Sequence, residues 1–158
     1  MKQMATKNLL RLARPDDCAA LSLLFAALWP EESAEEHSKE LVPLLAGKSP
    51  AVMPLLIWVA EAADGAIVGF IEAGLRSCAD GCDMSRPVGY VEGWYVAENY
   101  RRTGIGLALL RAAEDWAREQ GCTEMASDAL LENILSQDAH RAAGFTEVDR
   151  AVKYRKTL

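Results

Sequence analysis

The feature that most constrains the fold of this chain is an arginine- and glycine-containing turn between a predicted strand and a predicted helix. The turn reads Tyr100-Arg101-Arg102-Thr103-Gly104-Ile105-Gly106. An apolar run from Val88 to Val96 precedes it, and residues 104–120 have apolar side chains at helical spacing. A strand that leads through such a turn into a long amphipathic helix indicates a layered domain, in which a sheet packs against helices.

The same turn has the chemistry of an anion-binding site. The first amides of a helix have no partner within the helix, and the helix dipole favours an anion at that end. Gly104 and Gly106 allow the backbone to approach a ligand closely, and Arg101 and Arg102 add positive charge. The pattern is neither a Walker loop nor the Gly-x-Gly-x-x-Gly dinucleotide fingerprint. Taken alone, it is also typical of a plain surface turn that starts a helix.

The periodicity of the rest of the chain predicts the element order β-α-α-β-β-β-α-β-α-β. Ser33 and Glu36 form a capping box at the start of the second helix. This order indicates an α/β or α+β three-layer domain around a mixed sheet, and the length of 158 residues indicates one domain over residues 1–158. The predicted strands span residues 9–13, 55–60, 67–71, 88–96, 123–126 and 145–154, and the helices 18–28, 33–45, 104–120 and 132–143.

Composition excludes several classes of protein. Hydrophobic residues make up 51% and charged residues 25%, which is typical of a globular protein and not of a disordered or membrane-spanning one. With 17 basic and 23 acidic residues, a general nucleic-acid binder is disfavoured. The four cysteines and two histidines lack zinc-ligand spacing, so we expect no metal site and no disulfide framework. The N-terminal residues resemble neither a signal peptide nor a spanning helix, and we expect a cytoplasmic protein.

In its context, Arg-x-x-Gly-x-Gly resembles motif A of the GNAT family of N-acetyltransferases. Two downstream segments agree with that family: Asn133-Ile134-Leu135-Ser136 and Ala142-Ala143-Gly144-Phe145. The resemblance implies a mainly antiparallel sheet of six to seven strands flanked by about four helices. It also implies acetyl-CoA as cofactor, direct acetyl transfer to an amine, and a homodimer.

The resemblance also implies a set of cofactor-binding residues. In that family the amides of the loop bind the pyrophosphate, a splayed strand binds the pantetheine arm, and an asparagine contacts the cofactor. The matching positions are Arg101, Arg102, Thr103, Gly104, Ile105 and Gly106 in the loop, Trp94, Tyr95 and Val96 in the strand, and Asn133. His140 stands where the family often has the tyrosine that protonates the leaving thiolate. The imidazole could take that role or could simply be a packed or surface histidine.

Within the family, the chain is most similar to the aminoglycoside 6′-N-acetyltransferases. Leu28-Trp29-Pro30-Glu31-Glu32 is similar to their N-terminal helical segment, and His140-Arg141-Ala142-Ala143-Gly144-Phe145 to their last helix. Three segments are similar to their substrate-lining strands: Gly69-Phe70-Ile71-Glu72-Ala73, Pro87-Val88-Gly89-Tyr90-Val91-Glu92-Gly93-Trp94-Tyr95-Val96 and Ala126-Ser127-Asp128-Ala129. The resemblance implies that Trp29, Glu72, Glu92 and Asp128 bind the substrate.

The acidic residues agree with a polycationic substrate. Residues 61–98 contain seven carboxylates and two arginines, and Glu31, Glu32, Glu35, Glu36 and Glu40 form a second cluster. That second cluster is equally typical of a solvated helix face. Glu92 and Asp128 interrupt apolar strand runs, so each must face solvent or a site. Because an ammonium must lose a proton before it can attack a thioester, Glu92 is the first candidate for the base and Asp128 the second.

Two other functions remain open on sequence alone. The amine could belong to a polyamine, a small metabolite or a protein, since an acidic groove accepts any of these. The chain could also be a non-catalytic acyl-CoA-binding module, which would bind the cofactor without turnover. A thiol-release assay across aminoglycosides, polyamines and basic peptides separates these possibilities.

Overall fold

The fold is a single five-stranded sheet with helices on both faces, here described from a computed structural model that covers residues 9–49 and 51–158. The strands lie side by side in chain order: β1 (Leu9–Leu12), β2 (Leu55–Glu61), β3 (Ile67–Arg76), β4 (Val88–Val96) and β5 (Met125–Ser127). β1 to β4 pair antiparallel, and β5 pairs parallel to β4. The α-helices are α1 (Cys18–Leu28), α2 (Ala34–Leu45), α3 (Ile105–Glu119) and α4 (Ile134–Ala142).

Local sequence signals explain where the helices start. The capping box is confirmed: the Glu36 amide donates to Ser33 Oγ, and the Glu36 carboxylate accepts from the Ser33 amide at 2.8 Å. Such a cap contributes about 1 kcal/mol. α2 continues through Pro43, which cannot donate a helical hydrogen bond, and ends at Leu45, two residues before Gly47 with its positive φ of 71°.

Each face of the sheet carries its own apolar core. Leu21 and Leu41, from α1 and α2, pack with Phe70 on one face. Leu109 and Leu110, from α3, pack with Ile71 on the other. Neighbouring residues of β3 therefore serve opposite cores, as the alternation of side chains along a strand requires. We call these the α1/α2 face and the α3 face.

A bulge in β4 interrupts its pairing with β3. Glu72 pairs with Gly93 but Ala73 pairs with Val91, so Glu92 is the extra residue. Val91 packs in the core of the α3 face. Glu92, the next residue, therefore projects to the α1/α2 face, and Gly93 faces Trp29 on that same side.

The sheet opens between β4 and β5. Their pairing runs from Gly89↔Met125 to Val91↔Ser127 and then ends. β4 continues to Val96 along β3, so its other edge has no partner strand within residues 9–49 and 51–158 from Glu92 onwards. This gap lies directly before the turn that starts α3.

The predicted fold class is confirmed, but the sheet has five strands and not six to seven. Residues 145–154, predicted as a strand, form none within the described chain and are almost all exposed. The reason is physical: a strand needs a neighbour, and the edge strand β5 has only three residues. β3 reaches Arg76, beyond the predicted end at Ile71, because pairing with β4 continues.

Two findings concern the ends and the helices. Residues 1–8, the first part of the N-terminal stretch tested above for a signal peptide, lie outside the described residues. Among the described residues, the helices are all too short or too polar to cross a membrane.

Candidate active site

The turn before α3 presents an open set of backbone amides. Arg102 and Gly104 have positive φ angles of 60° and 87°, which turn the chain sharply into the helix. No side chain caps the helix at Gly104, so the first amides of α3 are available to a ligand. A Cβ added at Gly104 would meet nothing within 4 Å. An open helix N-terminus of this kind fits a pyrophosphate.

Two loop residues have structural contacts that the sequence did not predict. Arg101 Nε donates to the Val96 carbonyl oxygen at 2.9 Å, and its guanidinium lies 5.5 Å from the ring centre of Tyr95. Thr103 Oγ1 donates to the Tyr100 carbonyl oxygen at 2.6 Å. These contacts fasten the loop to the end of β4, whereas the side chain of Arg102 is exposed to solvent.

Trp94 connects the loop to the last helix. Its Nε1 donates to the Gly106 carbonyl oxygen at 3.0 Å, and its rings stand edge-on to His140, 5.6 Å between ring centres. Trp94 and Val96 pack with the core of the α3 face. Tyr95 instead packs near Phe70 on the opposite face, so only its backbone can contribute to the groove along β4.

His140 is half-buried and fully engaged in hydrogen bonds. Its Nδ1 lies 2.7 Å from the Ser136 carbonyl oxygen, and its Nε2 lies 2.9 Å from Ser127 Oγ. Phe145 packs edge-on against the ring at 5.2 Å. Asn133 caps α4 through Oδ1, which accepts from the Ser136 amide at 3.0 Å, so its side-chain NH₂ group remains free to meet a cofactor.

The two candidate bases belong to one network on the α1/α2 face. Arg76 binds Glu92 in a bidentate ion pair at 2.9 and 2.7 Å, and its guanidinium lies 3.4 Å over the ring of Tyr90. The Tyr90 hydroxyl donates to Asp128 Oδ1 at 2.7 Å. Burial, followed by the hydrogen bond to Asp128, raises the pKa of Tyr90, so this hydroxyl stays a donor. Lys153 Nζ stands 3.7 Å from the other oxygen of Asp128.

The sequence analysis gave no role to Arg76 or Tyr90, which the structure places in the network of the candidate bases. Both lie on the same strand faces as predicted site residues: Arg76 four residues after Glu72, and Tyr90 two residues before Glu92. Side chains two residues apart on a strand lie on the same face of the sheet, so this alternation would have placed both residues beside Glu72 and Glu92 if the predicted β3 had extended past Ile71.

Glu72 is a largely buried carboxylate in the cleft beside this network. Burial, together with the nearby charges of Glu92 and Glu40, raises its pKa from 4.5 to about 7. A carboxylate that is half-protonated near neutral pH is suited to bind a cation, because an arriving ammonium restores its charge.

An acidic cleft of about 840 Å³ lies between α1, α2 and the sheet. Trp29 and Phe25 line its apolar part, and Glu72 lies in its wall together with Glu31, Glu32 and Glu40. Carboxylate oxygens of Glu32 and Glu40 and a ring nitrogen of His37 all lie within 4.8 Å of one another.

The five glutamates of the second cluster therefore divide between two roles. Glu36 caps α2 and Glu35 pairs with Lys39 at 3.7 Å, as on an ordinary helix surface. Glu31, Glu32 and Glu40 line the cleft. The first two therefore behave as residues of a solvated helix face, and a role in substrate binding stays a prediction for the other three.

Taken together, these features define a class of enzyme. A sheet that opens beside a helix N-terminus with free amides can hold an extended pantetheine and its pyrophosphate, and carboxylates across the gap can accept protons from an amine. This is the architecture of a CoA-dependent N-acyltransferase.

The chain belongs to the acetyltransferase (GNAT) family, whose sequence profile matches residues 19–145. It is an acetyl-CoA-dependent N-acetyltransferase. It is 43% identical over 155 residues to the aminoglycoside N(6′)-acetyltransferase type 1 of Klebsiella aerogenes, which covers 98% of this chain and 100% of that protein.

Solved structures agree with this assignment. The chain superimposes with a TM-score of 0.84 on AAC(6′)-Ih from Acinetobacter baumannii, at 29% identity, covering 96% of this chain and 99% of that one. The TM-score is 0.80, at 33% identity and the same coverage, for AAC(6′)-Iy in complex with the bisubstrate analogue CoA-S-monomethyl-acetylneamine.

Proposed function

We propose that this enzyme transfers the acetyl group of acetyl-CoA to the 6′-amino group of aminoglycoside antibiotics. The observation that carries the proposal is that the acidic cleft lies next to the β4 bulge that carries Glu92. Glu72, in the wall of the cleft, pairs directly with Gly93 beside Glu92. A polycation bound along the cleft therefore reaches the carboxylates with one amine. The names of the relatives, and the analogue bound to one of them, support the same substrate.

The residues of the chain have separate tasks in this reaction. Bound acetyl-CoA supplies the thioester carbonyl that the amine attacks. The amides of the turn at Gly104 hold the pyrophosphate, and the free edge of β4 from Glu92 to Val96 orients the pantetheine arm. Amides of that edge stabilise negative charge on the carbonyl oxygen during attack. Trp29 covers the cleft beside the reacting amine and excludes water.

Asp128 binds the substrate ammonium, and Glu92 accepts its proton. Both oxygens of Glu92 are bound to Arg76, whereas Asp128 accepts one hydrogen bond from Tyr90 on Oδ1. Asp128 therefore has the freer oxygen, Oδ2, for a substrate ammonium, and the exposed Lys153 lies 3.7 Å from that oxygen. Glu92 accepts the proton through water or after the ammonium displaces Arg76.

Acetylation converts an ammonium into a neutral amide and so removes a positive charge on which aminoglycosides depend. We expect it to confer resistance by modification. The reaction takes place in the cytoplasm, where acetyl-CoA is available, and residues 1–158 act as one catalytic domain.

We also propose that the enzyme is a homodimer that pairs through the C-terminal segment, residues 145–158. This segment is extended and exposes apolar side chains: Val148 is 63%, Val152 70% and Tyr154 92% exposed. A second copy offers the strand neighbour that a single chain lacks. Sedimentation should give a dimer for the wild type and a monomer for Val152→Asp. The control Val52→Asp, at a residue 99% exposed elsewhere, should remain dimeric. A monomeric wild type contradicts the proposal.

The experiment for the proposed function is a thiol-release assay with acetyl-CoA and three kinds of amine. Aminoglycosides with a 6′-amine should give turnover at low concentrations, and polyamines and basic peptides should not. Gly104→Val should weaken acetyl-CoA binding, measured by calorimetry, at least tenfold or about 1.4 kcal/mol, because valine at a positive φ closes the amide cradle. Preference for polyamines would refute the substrate assignment, and unchanged affinity in Gly104→Val would refute the cofactor site.

A further inference from the structure

We propose that Ser127 is a catalytic residue, which together with His140 delivers the proton to the sulfur that leaves during acetyl transfer. The proposal rests on the proposed function, since it concerns the second half of the same reaction. It adds a hydroxyl group to the site and gives the histidine that replaces the usual tyrosine a defined proton path.

The position of Ser127 is the first argument. Ser127 is the last residue of β5, and it pairs with Val91 at the point where the sheet opens. The next residue of each strand, Asp128 and Glu92, belongs to the network on the α1/α2 face. Because side chains alternate along a strand, Ser127 projects to the other face, where His140 lies. The gap therefore has carboxylates on one side and a hydroxyl–imidazole pair on the other.

The hydrogen bonds of His140 fix which proton can move. The Ser136 carbonyl oxygen can only accept, so the Nδ1 atom 2.7 Å away carries a proton. In the neutral imidazole, Nε2 then has no proton and accepts the Ser127 hydroxyl proton. In the imidazolium, Nε2 donates to Ser127 Oγ at 2.9 Å. Only in the imidazolium is the Ser127 proton free for another acceptor, such as the Val91 carbonyl oxygen 3.2 Å away or a ligand in the gap.

This arrangement suits protonation of a leaving thiolate. When the amine nitrogen forms its bond to the acetyl carbon, the carbon–sulfur bond breaks and its electron pair goes to sulfur. Ser127 Oγ gives its proton to that sulfur and takes the proton from His140 Nε2. The nitrogen of the amine loses two protons in all, to carboxylate and solvent, and the imidazole recovers its proton from solvent before the next turnover. Charge and protons therefore balance without another reactant.

The groups in direct contact with His140 carry no charge. Its hydrogen bonds go to Ser127 and Ser136, and its ring contacts are with Trp94 and Phe145, all of them uncharged. The neighbouring charged residues of α4, Asp138 and Arg141, pair with each other at 2.9 Å.

The test compares Ser127→Ala with Ser136→Ala, each of which removes one serine hydroxyl close to the same imidazole. Ser136 Oγ lies 3.4 Å from Nδ1, but the bond to Nδ1 comes from the Ser136 backbone, which the substitution keeps. In Ser127→Ala we expect kcat to fall about 10- to 100-fold and KM for both substrates to stay within about twofold. Ser136→Ala should behave as the wild type, and Ser127→Thr, which keeps the hydroxyl, should retain most of the kcat.

A second readout needs no turnover and no aminoglycoside. The thiol of CoA bound to the enzyme can be titrated by its thiolate absorbance. Loss of the Ser127 hydrogen bond should raise the pKa of that thiol by about 0.5–1 in Ser127→Ala and leave it unchanged in Ser136→Ala. Because this titration uses CoA alone, its outcome is independent of which amine the enzyme prefers.

The proposal is overturned if Ser127→Ala keeps the wild-type kcat, or if the pKa of the bound thiol is the same in both alanine variants. It is also overturned if Ser127→Thr loses as much kcat as Ser127→Ala, because the hydroxyl would then be irrelevant. Circular dichroism and CoA affinity show whether each variant is folded, and the threonine variant keeps the test decisive if the alanine variant is not.

Discussion

Gly93→Ala should weaken aminoglycoside binding in a protein that still folds. Gly93 lies on β4 directly under the indole of Trp29, and a Cβ at this position would stand 2.4 Å from Trp29 Cη2 and 2.9 Å from Cζ2. Favourable carbon contacts are about 3.5–4.0 Å, so the indole must move by about 1 Å or more. Phe70 Cε2, at 3.3 Å, limits the room for relaxation.

The clash should affect both the stability of the fold and the binding of the aminoglycoside. Overpacking of this kind costs about 1–3 kcal/mol of folding free energy. Displacement of Trp29 from the wall of the cleft should also raise the KM for an aminoglycoside about tenfold or more, equivalent to about 1.4 kcal/mol of binding. The KM for acetyl-CoA should change less, because we place its pantetheine arm along the free edge of β4 and its pyrophosphate at the turn before α3, away from Trp29.

Gly89→Ala is the matched control. It adds the same methyl group to the same strand, but its Cβ would stand 2.9 Å from the Cβ of Ala117 in α3, on the opposite face. Both variants should lose stability in urea unfolding, and only Gly93→Ala should lose aminoglycoside affinity. If both variants keep the wild-type KM for the amine, Trp29 does not contact the substrate and the reasoning fails.

A double-mutant cycle isolates the clash. Trp29→Phe shortens the side chain, so Gly93→Ala should destabilise the protein less in that background than in the wild type. We expect a coupling of at least about 1 kcal/mol between the two positions. An additive result would show that the methyl group is accommodated elsewhere.

Three further predictions concern the charged groups. Glu92→Gln and Asp128→Asn should each lower kcat about 10²- to 10⁴-fold in steady-state assays, and less at high pH where more amine is already neutral; wild-type kcat and KM in both would refute the assignment of the base. Glu72 has its pKa raised from 4.5 to about 7, so the folded state binds the extra proton between those values and loses stability as pH rises through them. Glu72→Gln should therefore be more stable than the wild type at pH 8, by up to about 3 kcal/mol in urea unfolding, and equal to it below about pH 4.5. Equal stability of the two proteins at both pH values would refute the raised pKa of Glu72. Arg76→Ala should lower kcat about tenfold without raising the aminoglycoside KM, because the Glu92 carboxylate loses its orientation but is no longer paired with a positive charge. Arg76→Lys should recover little of this activity, since lysine cannot form the bidentate pair. Full activity of the lysine variant would contradict the orienting role of Arg76.

The parts of the fold that depend on local pattern were predictable from the sequence. The bounds of α1, Cys18–Leu28, and of β4, Val88–Val96, agree with the predicted ones, and the Ser33 capping box formed as expected. These features depend on side chains a few positions apart, where hydrophobic periodicity and capping act.

The parts that depend on distant pairing were not predictable. The bulge at Glu92 results from the register between β3 and β4, and the partner of Glu92 is Arg76, 16 residues earlier in the chain. The C-terminal alternation gave a strand prediction at residues 145–154, but alternation cannot show whether a neighbouring strand exists. The residues of the candidate site were proposed from short motifs in the sequence, whereas the side chains that contact them are set by the pairing of the sheet.

The measurement that tests the central claim most directly is the position of the acetyl group on the product. The enzyme is incubated with acetyl-CoA and either a kanamycin-type aminoglycoside that has a 6′-amino group or a congener that has a hydroxyl there, and the products are analysed by NMR and mass spectrometry. We predict one acetyl group per molecule, on the 6′-nitrogen, with one thiol released, and no turnover of the hydroxyl congener. Acetylation at another amine, or equal turnover of the congener, would contradict the proposal that the cleft delivers the 6′-amine to Glu92 and Asp128.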